Sequence, residues 1–360
     1  MNKLTKIEKF FNTVNLSADD QLFVGVDVHK KSYHVAFYLN DAPSIDFVMP
    51  AKKEQLSQKL TSTAPALREV VYETGPSGYG LARHLHRDHL PVSVAATSKI
   101  PRASAGDNKT DRLDSKKLAE YAAKNLLSPV QIPTLKQEAD RQLYRMRHRQ
   151  SRNLAKVKVQ IKSFLLMHDI EEPAGLNNWS RKSTESLRSL KLPQTTLRLS
   201  LDELLSDLDH YTLRLKTLDK SLVEQLDTGA LAQRMALLKT HPGVGPVVAC
   251  QFATELFHYR DFNSTREVFK YLGLSPKIHQ SGERSTRGSI NRASNSRLRS
   301  NLIQAAWRWI AVDIQAKKTY YRLANNCGQI KQKAIVGMAR KLAGHLWVML
   351  IRNQPYDPKK

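Results

Sequence analysis

The stretch DNKTDRLDSKKLAEY, residues 107–121, sets Asp107, Asp111 and Asp114 among basic neighbours. Asp111 and Asp114 stand three residues apart where an amphipathic helix begins, a spacing that puts two side chains on one helix face. Carboxylates in a first helical turn are ordinary, because they complement the helix dipole. Two further acids change the reading: Asp27 near the end of LFVGVDV (22–28) and Glu73 at the end of REVVYE (68–73). Four carboxylates brought together repel one another, and some would take up protons near neutrality. Divalent cations remove that conflict, and Mg²⁺ accepts a few carboxylates together with water and phosphate oxygens. Two such ions can clamp the attacking and leaving oxygens of a phosphodiester. Asp107 is set aside as a loop acid.

These acids need a frame. LFVGVDV reads as a short buried strand, followed by the alternating SYHVAFYLN (32–40) and by SIDFVM (44–49). KKEQLSQKLTS reads as a helix, REVVYE as a fourth strand, GYGLARHLHRD as a helix and PVSVAA (91–96) as a fifth strand. The order βββαβαβ, with a helix from about Asp111, predicts a mixed α/β sheet. A crossover then sets strand four beside strand one, so that Asp27 and Glu73 become neighbours at one edge of the sheet.

After Pro133 the texture changes. Residues 136–168 are strongly helical and charged, and Leu201, Leu204, Leu208, Tyr211, Leu215, Leu218 and Leu222 step by three and four along a heptad seam. EEPAGLNNWS reverses the chain between the two stretches. The pattern predicts two long antiparallel helices, or a coiled-coil arm that pairs with another subunit. From about residue 233 a basic region follows, with 20 Lys and Arg against 6 Asp and Glu over residues 241–360. It opens with HPGVGPVVACQFATEL, in which Gly243 and Gly245 resemble a helix-hairpin-helix turn offering backbone N–H groups to a phosphate. The final helix, KAIVGMARKLAGHLWVMLI, reads as core.

The 360 residues hold 57 Lys and Arg against 33 Asp and Glu, a formal net charge of +24. Such a surplus draws a polyanion, nucleic acid first. A basic membrane-surface protein is disfavoured: the chain shows neither a lipidation signal nor a Trp/Phe-rich amphipathic helix, and no run is expected to approach the length of a membrane span. The N-terminus lacks the apolar stretch of a signal peptide, and Cys250 and Cys327 provide neither a disulfide framework nor a Cys-based zinc site. A reduced, cytoplasmic protein is expected.

FVGVDVHKKSYHVAFY, VYETGPSGYGLARHL and DNKTDRLDSKKLAEY together resemble the DEDD transposases of the IS110 and IS1111 insertion sequences, a pattern shared by pilin-gene inverting recombinases. The resemblance continues through HPGVGPVVA, FNSTREVFKYLGLSPKIHQSGERSTRGSINRASNSRLR and LRSNLIQAAW, leaving about twenty N-terminal residues as an extension. It implies an α/β plus α chain: an extension (1–20), a RuvC-like, ribonuclease-H-like catalytic domain (21–132), long helices or a coiled coil for dimerisation (133–232) and a mainly helical transposase domain (233–360). It further implies that Asp27, Glu73, Asp111 and Asp114 bind Mg²⁺, and that the serine before Gly282, Ser281, is a nucleophile. Ser285 and Ser289 lie close by. The implied working site is composite and forms between subunits of a dimer or tetramer. Donor and target DNA are the implied substrates, with a structured bridge RNA pairing to both, and the implied setting is the bacterial nucleoid.

Serine in a Gly/Ser/Arg loop is usually a turn former or a phosphate contact, so without the resemblance Ser281 would not stand out. Arg284, Arg287, Arg292, Arg297 and Arg299 follow it in what reads as a basic loop and then a helix from about Asn291. Guanidinium groups hold phosphate oxygens in bidentate fashion, so nucleic-acid contact is the reading for all five. Two rivals remain: a RuvC-like junction nuclease with water as nucleophile, and a non-catalytic nucleic-acid-binding scaffold whose acids are structural.

Overall fold

Valine-rich alternation builds the first strands, β1 (Leu22–Val28), β2 (Ser32–Leu39) and β3 (Ala42–Pro50), which pair antiparallel. Asn40 and Asp41 alone connect β2 to β3, both at positive φ (47° and 62°), the conformation of a tight two-residue hairpin turn. Helix α1 (Lys53–Thr61) carries the chain over to β4 (Leu67–Glu73), which lies parallel to β1, and α2 (Gly80–Arg87) carries it on to β5 (Val92–Ala95), parallel to β4. The strand order is β3-β2-β1-β4-β5, a mixed sheet consistent with a ribonuclease-H-like domain. Helix α3 (Asp111–Ala123) completes this part. In the computed structural model, Phe10 and residues 14–101, 111–226, 229–281, 284–290 and 294–358 are described. The chain forms two compact units, Met1–Pro133 and Thr134–Lys360.

The sheet of the first unit is covered on both faces. Val24, Val26, Val70 and Tyr72 pack with Leu56 and Leu60 of α1 and Leu81 and Leu85 of α2. Phe23, Val71 and Ala95 on the other face pack with Leu118 and Ala122 of α3. The expected N-terminal extension contributes to this core. Phe10 is buried, its ring edge-on to Phe37 at 5.6 Å, and Arg68 Nη2 donates to the carbonyls of Ala18 and Asp20 at 2.7 and 3.1 Å.

The second unit begins with α4 (Leu135–Met167), which Thr134 and Gln137 start with a reciprocal capping box. After α5 (Arg181–Arg188), α6 (Thr195–Leu226) returns along α4. Leu201, Leu205 and Leu208 pack on Val157, Ile161, Phe164 and Leu165, while Leu222 shares a cluster with Tyr144, so the two helices run antiparallel. Arg147 clamps Asp219 through two hydrogen bonds, 2.8 and 3.3 Å. The antiparallel pair is present, and the seam's buried leucines Leu201, Leu208 and Leu222 pack within the same molecule.

Helices α7 (Gly229–Lys239), α8 (Pro246–Glu255), α9 (Thr265–Leu272), α10 (Ser296–Val312), α11 (Ile314–Asn326) and α12 (Lys331–Arg352) complete this unit. Glu255, 2 % exposed, is held by Arg145 at 3.0 and 2.9 Å. Among the described residues α12 is the one helix long and apolar enough to cross a membrane, with mean hydropathy 1.4. Of that window 61 % is buried, and Leu342, Ala343 and Leu346 sit in the core with Leu298, Leu302 and Trp309 of α10.

Two expectations are corrected here. The Ser/Arg stretch is not a loop: β6 (Pro276–Ser281) and β7 (Arg284–Ile290) pair antiparallel. Neither strand has an apolar face, and cross-strand backbone pairing leaves no periodicity to read in so polar a segment. Helix α10 starts at Ser296 rather than near Asn291, because Asn295 caps it by accepting from Leu298 N at 3.1 Å.

Candidate active site

In the parallel β1–β4 pair the last registered partners are Val26 and Tyr72. Asp27 and Glu73 each follow by one residue, so they stand at the same level of adjacent strands. Strand alternation gives them the face of Phe23 and Val71, the one α3 covers. Gly25 decides how closely that helix approaches. A Cβ there would lie 2.0 Å from the Ser115 carbonyl oxygen and 2.6 Å from Ala119 N, so only a bare Cα lets α3 rest on β1. Lys116 Nζ ties the helix to Asp46 of β3 at 3.0 Å. The far end of α3 runs toward the β2–β3 turn, where Asp41 and Tyr38 help Glu120 hold the Lys124 ammonium above its usual range. The helix therefore runs antiparallel to β1 and opens at the end of the sheet that carries Asp27 and Glu73. Asp111 is its first residue, and Asp114, half-buried, adjoins the Ser115 contact.

The surroundings of both strand acids are built. Asp27 is 13 % exposed, and His29 Nε2 lies 3.0 Å from its Oδ2. The His29 ring meets that of His34, the residue paired with Asp27 across β1–β2. After Glu73 the loop is fixed from the core: buried Tyr72 donates its hydroxyl to Gly78 O at 3.1 Å and accepts from Ala82 N at 3.3 Å. Burial pushes the Tyr72 phenol up to about 12, which keeps it a donor. Gly78, at φ 65°, supplies the left-handed residue that turn requires. Thr97 Oγ1 donates to Thr74 O at 2.7 Å, fixing the residue next to Glu73.

Asp27 and Glu73 stand at one end of the sheet and Asp114 in the first turn of the helix that opens there, and carboxylates are the donors a hard divalent cation accepts. Among the described residues no three His, Cys, Asp or Glu side chains come together closely enough to hold a metal ion. The side chain of Asp111 lies outside the described residues.

In the second unit, Ser281 closes β6 and is paired with Arg284 across the hairpin, while Ser285 pairs with Gln280. The side chains of Ser281, Arg284 and Arg287 lie outside the described residues, as do Gly282 and Arg292 entirely. Arg299 Nη1 donates to Ser294 Oγ at 2.6 Å. Arg297 presents a buried Nε with no hydrogen-bond partner among the described residues. It also acts, with Arg152 and Arg147, on His148, whose imidazole burial and these charges hold below its usual range. Guanidinium groups gathered near His148, one of them with a donor unfilled among the described residues, suit an anion.

The two glycines of the PGVG turn differ. Gly243 is buried against α10, where a Cβ would lie 2.6 Å from Trp309 Cβ, and its N–H donates to His241 Nδ1 at 3.3 Å. That amide makes a hydrogen bond within the chain, and the residue packs against α10. Gly245 is exposed and caps α8 with open space around its Cα. His241 is buried beside His345, their nitrogens 3.3 Å apart. Burial, then the His345 charge, bring the His241 pKa down to about 3.

A mixed sheet bearing strand-end acids, joined to a basic helical unit, defines a class of nucleic-acid-processing enzymes, and comparison with known proteins gives the family. Residues 24–168 match the DEDD transposase model of IS110 elements, and residues 235–322 match the model described as transposase IS116/IS110/IS902 family. A putative transposase, y4qE, of Sinorhizobium fredii is 27 % identical over 91 % of this chain and 88 % of its own. The transposase of insertion sequence element IS1328 from Yersinia enterocolitica is 26 % identical over 79 % of this chain and 82 % of its own. A pilin gene-inverting protein of Moraxella bovis is 22 % identical over 94 % and 98 %. The chain belongs to the IS110 family of transposases, enzymes that cleave and rejoin DNA. Its DEDD domain implies dependence on a divalent metal.

Sequence reasoning missed Gly25, His29 and Tyr72. A glycine inside an apolar strand is the signal for the first. For the other two the sequence carries no mark apart from their neighbours Asp27 and Glu73.

Proposed function

We propose that this protein moves an insertion sequence by cutting and resealing DNA through a covalent phosphoserine at Ser281, using a Mg²⁺ site formed by Asp27, Glu73, Asp111 and Asp114. The observation that carries the reading is the placement of Asp27 and Glu73 at one level of β1 and β4, at the end of the sheet where α3 opens with Asp111 and Asp114. Mg²⁺, when bound, supplies Lewis-acid polarisation of the phosphodiester. The acids hold that charge, and His29 orients Asp27.

The chemistry balances without ATP. Ser281 Oγ forms a bond to phosphorus, one P–O bond of the strand breaks, and the released strand-end hydroxyl takes up the proton. Attack by the hydroxyl of a new strand reverses these changes and restores the serine. In the proposed oligomer, the acids of one copy serve the serine of another. Arg284, Arg287, Arg292, Arg297, Arg299 and the Gly243 and Gly245 turn contact phosphates. A bridge RNA reads donor and target by base pairing, which suits a protein whose charge is broadly basic.

The test incubates the protein with Mg²⁺ and a nicked suicide DNA, denatures it, and maps any DNA-linked peptide by mass spectrometry. The expected adduct is at Ser281, absent from Ser281→Ala and present in Ser285→Ala and Ser289→Ala. Efficient cleavage by Ser281→Ala without an adduct would establish the hydrolytic nuclease instead. Sequencing the RNA that co-purifies tests the guide, and absence of a specific RNA removes it.

A further inference from the structure

A cavity of about 390 Å³ lies within the second unit, walled by α9, α12 and the segment that follows α12. Its volume falls within the range of sites for small organic ligands. Two of its walls carry aromatic rings, Phe269 from α9 and Tyr356 from the C-terminal segment. The third wall brings the cations Lys341 and Arg352 and the imidazole of His345. Lys341 and Arg352 are exposed, at the mouth, whereas Phe269, His345 and Tyr356 are half-buried. Asp357 is the acid among the lining residues.

The walls are held in place. Tyr356 N donates to Thr240 Oγ1 at 2.9 Å, and the Tyr356 ring rests on His241 and His345 at 4.2 and 5.6 Å. Gly344 makes room for Phe269, since a Cβ there would lie 3.2 Å from its Cζ. Burial, then the neighbouring Lys341 ammonium, lower the His345 pKa. His345 therefore faces the cavity as a neutral hydrogen-bonding ring, and the positive charge at the mouth is that of the lysine and the arginine.

Flat aromatic walls with cations at the entrance match a planar base attached to a phosphate. Aromatic side chains bind bases through their π-faces whatever the base, and Lys and Arg take the phosphate. We propose that this cavity receives one unpaired nucleotide, its base beside Phe269 and Tyr356 and its phosphate on Lys341 and Arg352, drawn from the DNA the enzyme processes. This rests on the protein acting on DNA, but neither Ser281 nor the four acids enter it. Removing a base from a stack is cheapest where the strand is already unpaired, as at a cut or bulged position.

The experiment uses the full chain and two probes. Titration with deoxynucleoside monophosphates should show binding that Lys341→Ala/Arg352→Ala weakens roughly tenfold, in keeping with two charge-assisted contacts. A duplex with one bulged nucleotide should then bind roughly fivefold or more tightly than the same duplex with an abasic unit there, the scale of one base–aromatic stack. Thr265→Trp, which fills the cavity from the first turn of α9, should erase that difference while leaving affinity for unbulged duplex unchanged. Mononucleotide binding without any abasic effect would make the site one for a free nucleotide and overturn the strand-borne source. Neither effect, with duplex binding intact, would overturn the site altogether. Loss of all duplex binding by the wild-type protein would instead count against the wider reading of function.

Discussion

Ser115 lies directly over Gly25, its carbonyl oxygen 2.0 Å from where a Cβ would be. This backbone contact sets the height of α3 above the sheet, and so the position of Asp114 relative to Asp27.

Gly25→Ala therefore forces α3 outward or strains β1. Overpacking of this kind costs about 3 kcal/mol, and here the obstacle is backbone that no rotamer change relieves. Chemical denaturation should show that loss, and DNA cleavage should fall further than stability does, since the acids are displaced. A Gly25→Ala protein with wild-type cleavage would show that the helix height is immaterial to the site.

Asp27→Asn, Glu73→Gln, Asp111→Asn and Asp114→Asn should each abolish strand cleavage while DNA binding survives. Mg²⁺ should raise the melting temperature of the wild-type protein by mass action and not that of these variants. His29→Ala removes a partner of Asp27 and should weaken Mg²⁺ binding roughly tenfold. Two of the four acid variants retaining full activity would end the metal-site reading.

Arg297→Ala should flatten the dependence of log K on log salt for duplex DNA by about 0.9, the contribution of one phosphate. Stability should drop little, because the buried Nε has no hydrogen-bond partner among the described residues. An unchanged salt slope with lowered stability would make Arg297 a structural residue.

His241 titrates near 6.5 in the unfolded chain and at about 3 when folded. Its contribution is complete above pH 6.5 and falls by about 1.4 kcal/mol per unit as the pH drops from there toward 3. Comparing denaturation at pH 7 and pH 5, the wild-type protein should lose about 2 kcal/mol more than His241→Asn. Equal losses would mean that His241 is not buried in neutral form.

Much of the first unit is legible in the sequence because alternation, turn residues and strand-end acids are local. The apolar runs name their strands. Helix α10 is harder, since the choice between Asn291 and Asn295 as its start depends on which side chain reaches a free backbone N–H. The hairpin of β6 and β7 leaves no hydrophobic signal, because its strands are joined by backbone hydrogen bonds that any sequence can make.

Residue types and spacing determined the acids, the basic charge and the family motifs. Tertiary structure decided what stands next to what. The heptad seam became an in-chain contact because α4 returns a matching apolar face, which no single-helix pattern reveals. Gly243 packs closely because Trp309, 66 positions later, comes to rest against it. The cavity beside Tyr356 exists only because the segment after α12 folds back to Thr240. Packing joins residues distant along the chain, and a linear pattern encodes only those that are near.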